Sequence, residues 1–347
     1  MRLHPFFDDP NAVLVSRTPV SDPVCWDDFR LAGRVVLTAL EMEIEGERPV
    51  LKPNLTSGEH FPDPETGITT HPAFLWGMLD YLMEHGAQRG ECYILEDPRN
   101  TNTDEVRHWR NTGCLQVAEA TGCKLREPLS FQCTRRPVPD AFVRPWFNVS
   151  TLAVAPNSVF INVPKMKTHN LGITTLNMKN MQGAVRAADR HFCGQAWSMM
   201  PLELRQRGGP MPRAVHELWQ ERIAWHFCDV AKAAPPHLCV IEGVVGRDGT
   251  GFQRGDNYSL GLSVAGRNMV AVDTVGSYLM GFDPQKLIYL RVAAGAGLGT
   301  NNLDQIKVYE VRDGKATPCH DLTPYRAPTP FRVFSPVEED DALTYAR

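Results

Sequence analysis

Short apolar runs alternate along this chain with segments whose apolar residues recur every three or four positions. That is the rhythm of strands and amphipathic helices in βαβ units around a largely parallel sheet. Residues 27–43 have helical composition, and residues 49–52 read as a short strand that ends at Pro53-Asn54, where a Gly- and Pro-rich loop to Thr70 begins. His71-Pro72 opens a helix to about His85, with proline at a favoured first-turn position, Gly86 at the stop, and Phe74, Leu75, Met78, Leu79 and Leu82 at core spacing. Residues 92–95 form a buried strand, Thr103 caps a helix to Ala120 with Gly122 near its end, and residues 129–150 are β-rich. Residues 159–163 are the next core strand.

Residues 194–212 lack periodicity and read as an insertion or lid, whereas residues 213–233 form an amphipathic helix. A strand at 238–241, a glycine-rich loop at 243–255, a strand at 260–264 and a helix at 270–280 follow. A helix at 284–294 and a strand at 306–311 precede a Pro-rich acidic tail, which is expected from about Asp321 to lie on the surface or fray. The expected class is α/β, with a largely parallel sheet and flanking helices. It forms one large domain over residues 1–320, or two intimately linked lobes (1–190 and 235–320) with a cleft between them and 194–234 as an insertion plus helix.

At 347 residues, 43% hydrophobic and 22% charged, the composition is that of a soluble globular protein. A net charge of −4 gives no global footprint for nucleic acid. The amino terminus, M-R-L-H-P-F-F-D-D-P, lacks a secretory h-region and no run is long enough for a membrane span, so a cytoplasmic location without membrane partners is expected. The nine cysteines are scattered and never arranged as C-x-x-C, which reads as reduced thiols rather than a zinc or iron-sulfur motif.

The densest chemistry lies in residues 160–186, F-I-N-V-P-K-M-K-T-H-N-L-G-I-T-T-L-N-M-K-N-M-Q-G-A-V-R, which gathers Lys165, Lys167, His169, Lys179, Asn180 and Arg186 after a short strand. Cations and donors placed at a strand's carboxyl end are how α/β proteins hold an anionic ligand. Lys165 and Lys167 lie two apart, so on extended backbone they point the same way, and His169 shares that direction if the strand continues. A lysine desolvated beside other cations loses pKa and becomes a base or Schiff-base nucleophile, whereas one left in water stays a point-charge clamp; both roles are open here. Lys179, Asn180 and Gly183 fall about one turn apart on a helix, with Arg186 on nearly the same face. A salt-bridged surface stripe is the plainer reading, but the scarcity of carboxylates in residues 160–188 favours an external anion. His191 follows closely as a further substrate-binding candidate.

Lys52 and Asn54 end an early strand, and parallel strand ends gather at one edge, so both are placed in the same cleft. Thr70 and His71 offer a hydroxyl and a helix N-terminus to an anion, although a capped helix start explains them almost as well, and His60 is a weaker candidate. The loop at 243–255 has neither G-x-x-x-x-G-K-[ST] nor a G-x-G-x-x-G opening a helix, so a nucleotide site is not supported. Asp248 and Asp256, with Glu242 and Asp273 nearby, offer a divalent cation as an alternative; no metal is the first expectation. No G-x-S-x-G elbow or recognisable Cys-His motif is present.

The blocks V-L-K-P-N-L (50–55), I-T-T-H-P (68–72), I-N-V-P-K-M-K-T-H (161–169), M-K-N-M-Q-G (178–183), E-G-V-V-G-R-D-G-T-G-F-Q-R-G (242–255), V-A-V-D (270–273) and L-M-G-F-D-P (279–284) occur in this order. In them the chain resembles the bacterial and archaeal family of domain of unknown function 362, over about residues 49–301. The resemblance implies no settled reaction; some members carry appended ferredoxin-type modules, which this chain lacks. It departs from the family's pattern at Glu242, Phe252 and Asn268, where Asp, Pro and Asp are usual. At fold level the family is similar to the lactate racemase group, whose two-domain proteins use Lys and His in an interdomain cleft.

The expected activity is cofactor-independent Lys/His acid-base chemistry on a small carboxylate- or carbonyl-bearing molecule: isomerisation, epimerisation, cyclisation or elimination, as in a biosynthetic tailoring step. Lys165 or Lys167 is the expected base, His169 the partner acid, and Lys179 with Asn180 the stabilisers of developing charge. The alternative is a redox-accessory protein that holds an anion, a divalent metal complex or an iron-sulfur-type cofactor without turnover.

Overall fold

The structure, a computed structural model, describes residues 1–56, 64–97, 107–129, 132–189, 192–206, 211–252 and 254–334. The candidates His60 and His191 and the expected cap Thr103 lie outside them. In chain order, β1 (Ala12–Arg17) leads to α1 (Trp26–Ala39), and β2 (Arg48–Pro53) to α2 (Pro72–Glu84). β3 (Tyr93–Leu95), α3 (Arg107–Asn111), α4 (Cys114–Thr121) and β4 (Lys124–Arg126) follow. β5 (Cys133–Pro137) and β6 (Trp146–Ser150) form a separate antiparallel hairpin before α5 (Thr151–Val154) and β7 (Ser158–Val163). β8 (Lys165–His169), β9 (Ile173–Thr174), α6 (Asn177–Asn180), α7 (Phe192–Ser198), α8 (Leu202–Arg205) and α9 (Arg213–Ala233) come next. β10 (Leu238–Arg247), β11 (Asn257–Gly266), α10 (Met269–Leu279), α11 (Ile288–Gly295), β12 (Lys307–Arg312) and β13 (Lys315–Pro318) complete the order.

Among the described residues, eleven strands form one sheet in the order β13-β12-β1-β11-β10-β7-β2-β3-β4, with β8 on β10 and β9 on β8. The block from β10 through β7, β2 and β3 to β4 is parallel, while β11 runs antiparallel to both neighbours. Alternating strand residues feed two cores, one on each face. Val13, Val15, Val50, Phe160 and Ile241 face α9, α10 and α11, whereas Leu14, Leu51, Ile161, Val163 and Val240 face α1, α2 and α4. The result is an α/β fold with helices on both sides of a mostly parallel sheet. No helix among the described residues is long and apolar enough to cross a membrane.

Several boundaries differ from those the pattern implies. The expected helix at 103–120 is, within the described residues, two short helices separated by Gly113, whose φ of +72° ends one and starts the other. The loop expected at 243–255 begins later, because β10 continues through Val244 and Val245 to Arg247, paired with β11 across a register shift between Gly243 and Val245. The helix expected at 284–294 is a 3-10 turn, Pro284–Lys286, then α11, with Leu287 extended between them. Residues 194–212 contain the end of α7 and α8. The tail is not frayed up to Phe334: Phe331 and Val333 are buried in the core facing α9 to α11, at 1% and 2% exposure.

The α1–α2 contact depends on two glycines. A Cβ on Gly77 would lie 1.9 Å from the Arg30 carbonyl oxygen, and one on Gly33 would lie 2.2 Å from that of Phe74, so the two backbones touch directly. Gly77→Ala is expected to force the helices apart and cost about 1–3 kcal/mol in urea unfolding. Gly194→Ala, in α7 with nothing within 4 Å of the added carbon, serves as the neutral or slightly stabilising control.

Candidate active site at the carboxyl edge of the sheet

The site is built where β7 gives way to β8. Pro164 interrupts the ladder, and its carbonyl accepts the Glu242 N–H at 2.9 Å. β10 outlasts β7, pairing with it at Leu238 and Cys239 and then with β8 at Glu242 and Arg247. The chain from Lys165 onward is thereby held at the carboxyl edge of the parallel block. Lys52 on β2 stands in register with Asn162 on β7. α6 closes over them: Asn180 Nδ2 donates to the Lys52 carbonyl at 3.1 Å and to Asn162 Oδ1 at 2.8 Å.

A cavity of about 320 Å³ opens at this edge. Of the sequence candidates, Asn54, Lys167, His169, Lys179 and Asn180 line it, while Lys52, Thr70, His71, Lys165 and Arg186 do not. Lys167 Nζ donates to the Ile68 carbonyl at 2.7 Å. Burial holds its ammonium well below the ordinary lysine range, and repulsion from Lys179, Lys165 and Arg247 adds to the effect. His169 accepts backbone N–H bonds at Nδ1 from Leu171 (3.0 Å) and Gly172 (3.2 Å), which leaves its proton on Nε2. Burial, with Lys179, Lys167 and His216 nearby, depresses its pKa well below that of free imidazole, so the ring is neutral.

The remaining candidates have structural partners. Lys165 Nζ lies 2.6 Å from Glu242 Oε2, and both side chains are fully buried beside the Phe29 ring. Lys52 Nζ donates to Glu96 Oε2 at 2.6 Å and to the Pro53 carbonyl at 2.8 Å. Thr70 Oγ1 donates to the Val163 carbonyl and accepts from Asn54 N, tying β2, β7 and the start of α2 together. His71 caps α2 through Nδ1, stacks on Phe29 at 3.7 Å and reaches Glu65 at 3.2 Å, so the capped helix start describes both residues better than an anion site. Arg186 bonds Asp189 at 3.2 Å, away from the cavity.

The carboxylates considered for a metal are not brought together. Glu242 binds Lys165; Asp248 accepts from Tyr258 and Arg332; Asp256 pairs with Arg332. Asp273 accepts from Asn177 N and Nδ2 at 2.8 Å and from Met178 N at 3.0 Å, and so starts α6 and sets Lys179 over the cavity. Burial raises its pKa to about 7 against the pull of those donors.

Glu96, Asp97, Gln182, Trp219 and Phe252 also line the cavity and were not among the sequence candidates. Glu96 and Asp97 follow β3, whose end meets the same edge as Lys52, so the parallel order itself was the available signal. Gly183 belongs to this arrangement: a Cβ there would sit 1.6 Å from Glu96 Oε1 and 2.7 Å from Lys52 Nζ.

Lys165→Met leaves the Glu242 carboxylate buried without its cation and is expected to cost about 3–5 kcal/mol in urea unfolding, while Lys165→Met with Glu242→Leu recovers more than half of that loss. Lys167→Met behaves differently. The folded protein binds fewer protons at Lys167 than the unfolded chain between its depressed pKa and the ordinary lysine value, so wild-type stability falls as pH drops through that window. Thermal melts of the variant relative to wild type should therefore improve steadily from alkaline toward neutral pH.

The family model described as domain of unknown function (DUF362) matches residues 50–278, and the chain belongs to that family. A thylakoid-associated protein of Synechocystis is 26% identical over 257 residues, covering 74% of this chain and 69% of its own length. A Thermotoga maritima protein of known structure aligns with 75% of this chain at 9% identity and a TM-score of 0.42, and the chain spans 60% of that protein.

Proposed function

We propose that this member of the family is a cytoplasmic enzyme that moves a proton on a small carboxylate- or carbonyl-bearing molecule bound in the cavity. The observation that carries the reading is Lys167: a desolvated amine with no carboxylate bonded to its Nζ among the described residues, lining a cavity shared with His169 and Lys179. Held neutral, Lys167 takes the proton next to a carbonyl or carboxylate group, and the carbon–hydrogen bonding pair becomes the enolate. His169, a neutral imidazole with its proton on Nε2, polarises the oxygen that gains charge rather than giving up its own proton. Lys179 supplies the positive charge. The Lys167 ammonium returns the proton at the same or a neighbouring atom (epimerisation, isomerisation), the enolate expels a leaving group (elimination), or its carbon bonds a carbonyl carbon of the same molecule whose oxygen takes the displaced pair and the Lys167 proton (cyclisation). Of the two lysines open at the sequence level, Lys165 is committed to Glu242, so the base is assigned to Lys167.

The test is deuterium incorporation from D₂O into pyruvate, acetoacetate and phenylpyruvate, followed by proton NMR. Exchange should rise with pH through the depressed Lys167 pKa and then level, because protonated Lys167 is inactive. Lys167→Met should slow it by about 10²–10⁴-fold, and His169→Gln by about 10²–10³-fold. Exchange no faster than buffer with every acid, or equal in Lys167→Met, would sink the scheme.

A further inference from the structure

The cavity has a second character that proton transfer leaves unused. Leu171, Cys193, Trp219 and Phe252 give it an apolar side. The Trp219 indole N–H is already donated to the Cys193 carbonyl at 3.0 Å, so what Trp219 offers a ligand is ring surface. Phe252 lies tilted against His169 with ring centroids 6.2 Å apart, bringing that apolar side up to the imidazole. Among the polar lining residues, Asn54 Oδ1 and Gln182 Nε2 are buried with no hydrogen-bond partner among the described residues, and the two residues are only 9% and 8% exposed. Leaving a buried polar atom unpaired costs folding free energy. A ligand that donates to Asn54 and accepts from Gln182 removes that cost, and a hydroxyl group does either. The cavity's 320 Å³ lies at the lower end of the range of about 300–1,000 Å³ for small-molecule sites, the scale of one or two rings.

We propose that the substrate class is a hydroxylated aryl-aliphatic carboxylate, one that carries a C–H next to its carboxylate or carbonyl group: its ring against Trp219 and Phe252, its carboxylate toward Lys179, and its hydroxyl group at the unpaired Asn54 Oδ1 or Gln182 Nε2. The inference rests on the proposed function for the location of the reacting atoms, while the recognition itself is measurable without turnover.

Isothermal titration calorimetry with salicylate, benzoate and L-lactate as probes tests it. Salicylate should bind at least about tenfold more tightly than lactate. Trp219→Ala should weaken salicylate by a similar factor and leave lactate nearly unchanged. Phe252→Leu, which keeps apolar volume and removes only the ring, should act in the same direction, and Gln182→Leu should weaken salicylate more than benzoate. Circular dichroism melts identify a variant that has lost its fold, and Phe252→Leu then decides. Lactate binding as tight as salicylate, salicylate binding indifferent to Trp219→Ala and Phe252→Leu alike, or no saturable salicylate binding at millimolar concentration would overturn the proposal. Aromatic preference with no deuterium exchange would overturn the proton-transfer scheme and leave this inference standing; exchange on aliphatic acids without aromatic preference would do the reverse.

Discussion

An ammonium group taken out of water must find a carboxylate, surrender its proton, or pull the structure apart. Three lysines meet that constraint within a few residues of the sheet's carboxyl edge, and they meet it differently. Lys165 is buried against Glu242 and Lys52 against Glu96, each at 2.6 Å. Lys167 donates to a backbone carbonyl and has like charges around it, so its depressed pKa is the least costly outcome. The Lys165 pair ties β8 to β10, and the Lys52 pair ties β2 to the segment that follows β3. Lys167, whose Nζ bonds a carbonyl in place of a carboxylate, is the one of these three that lines the cavity.

This division explains what could and could not be read along the chain. Strand and helix periodicity passed over β1, β4, β9 and β13 but located β2, β3, β7, β10, β11 and β12, most of whose faces pack against helices with local apolar stripes. The basic cluster was visible for the same reason. Its partners were not, since Glu242 and Glu96 come from β10 and the end of β3, 77 and 44 residues from the lysines they bind. Local scarcity of carboxylates in residues 160–188 therefore pointed to an external anion for side chains that the fold satisfies internally, and Arg186 finds Asp189 immediately beyond that window. Spacing on one element reports direction, whereas pairing is decided by topology. The apolar wall was hidden more deeply: Trp219 sits on a helix that reads as ordinary amphipathic packing, and only α9's placement beside the edge turns it toward a ligand.

The glycine-rich stretch after β10 shows the same separation of local and distant causes. Its composition promised close backbone approach, and the approach is made to protein rather than to phosphate. Gly251, at φ +78°, lies so near β8 that a Cβ would meet the Thr168 carbonyl at 2.0 Å, and Thr168 in turn donates to the Gly249 carbonyl at 3.0 Å. This contact seats Phe252 at the cavity. Asp248 and Arg332 clamp the loop from behind, so the segment beyond residue 321 contributes to the site indirectly.

The electrostatics also limit how a ligand can lie. An anion placed against Lys167 would raise that amine's pKa and extinguish the neutral form that the proposed proton transfer needs, because binding and proton affinity are reciprocally linked. A carboxylate placed at Lys179 instead removes part of the repulsion that Lys179 exerts on Lys167 and on His169, so it raises both pKa values by a weaker route. Productive binding is then a compromise: enough negative charge at Lys179 to be held, and distance enough from Lys167 for burial to keep the amine neutral. The cavity offers both kinds of surface, Lys167 and Lys179 as cations and Trp219 and Phe252 as rings, so where a ligand's ring seats decides how far its charge lies from Lys167.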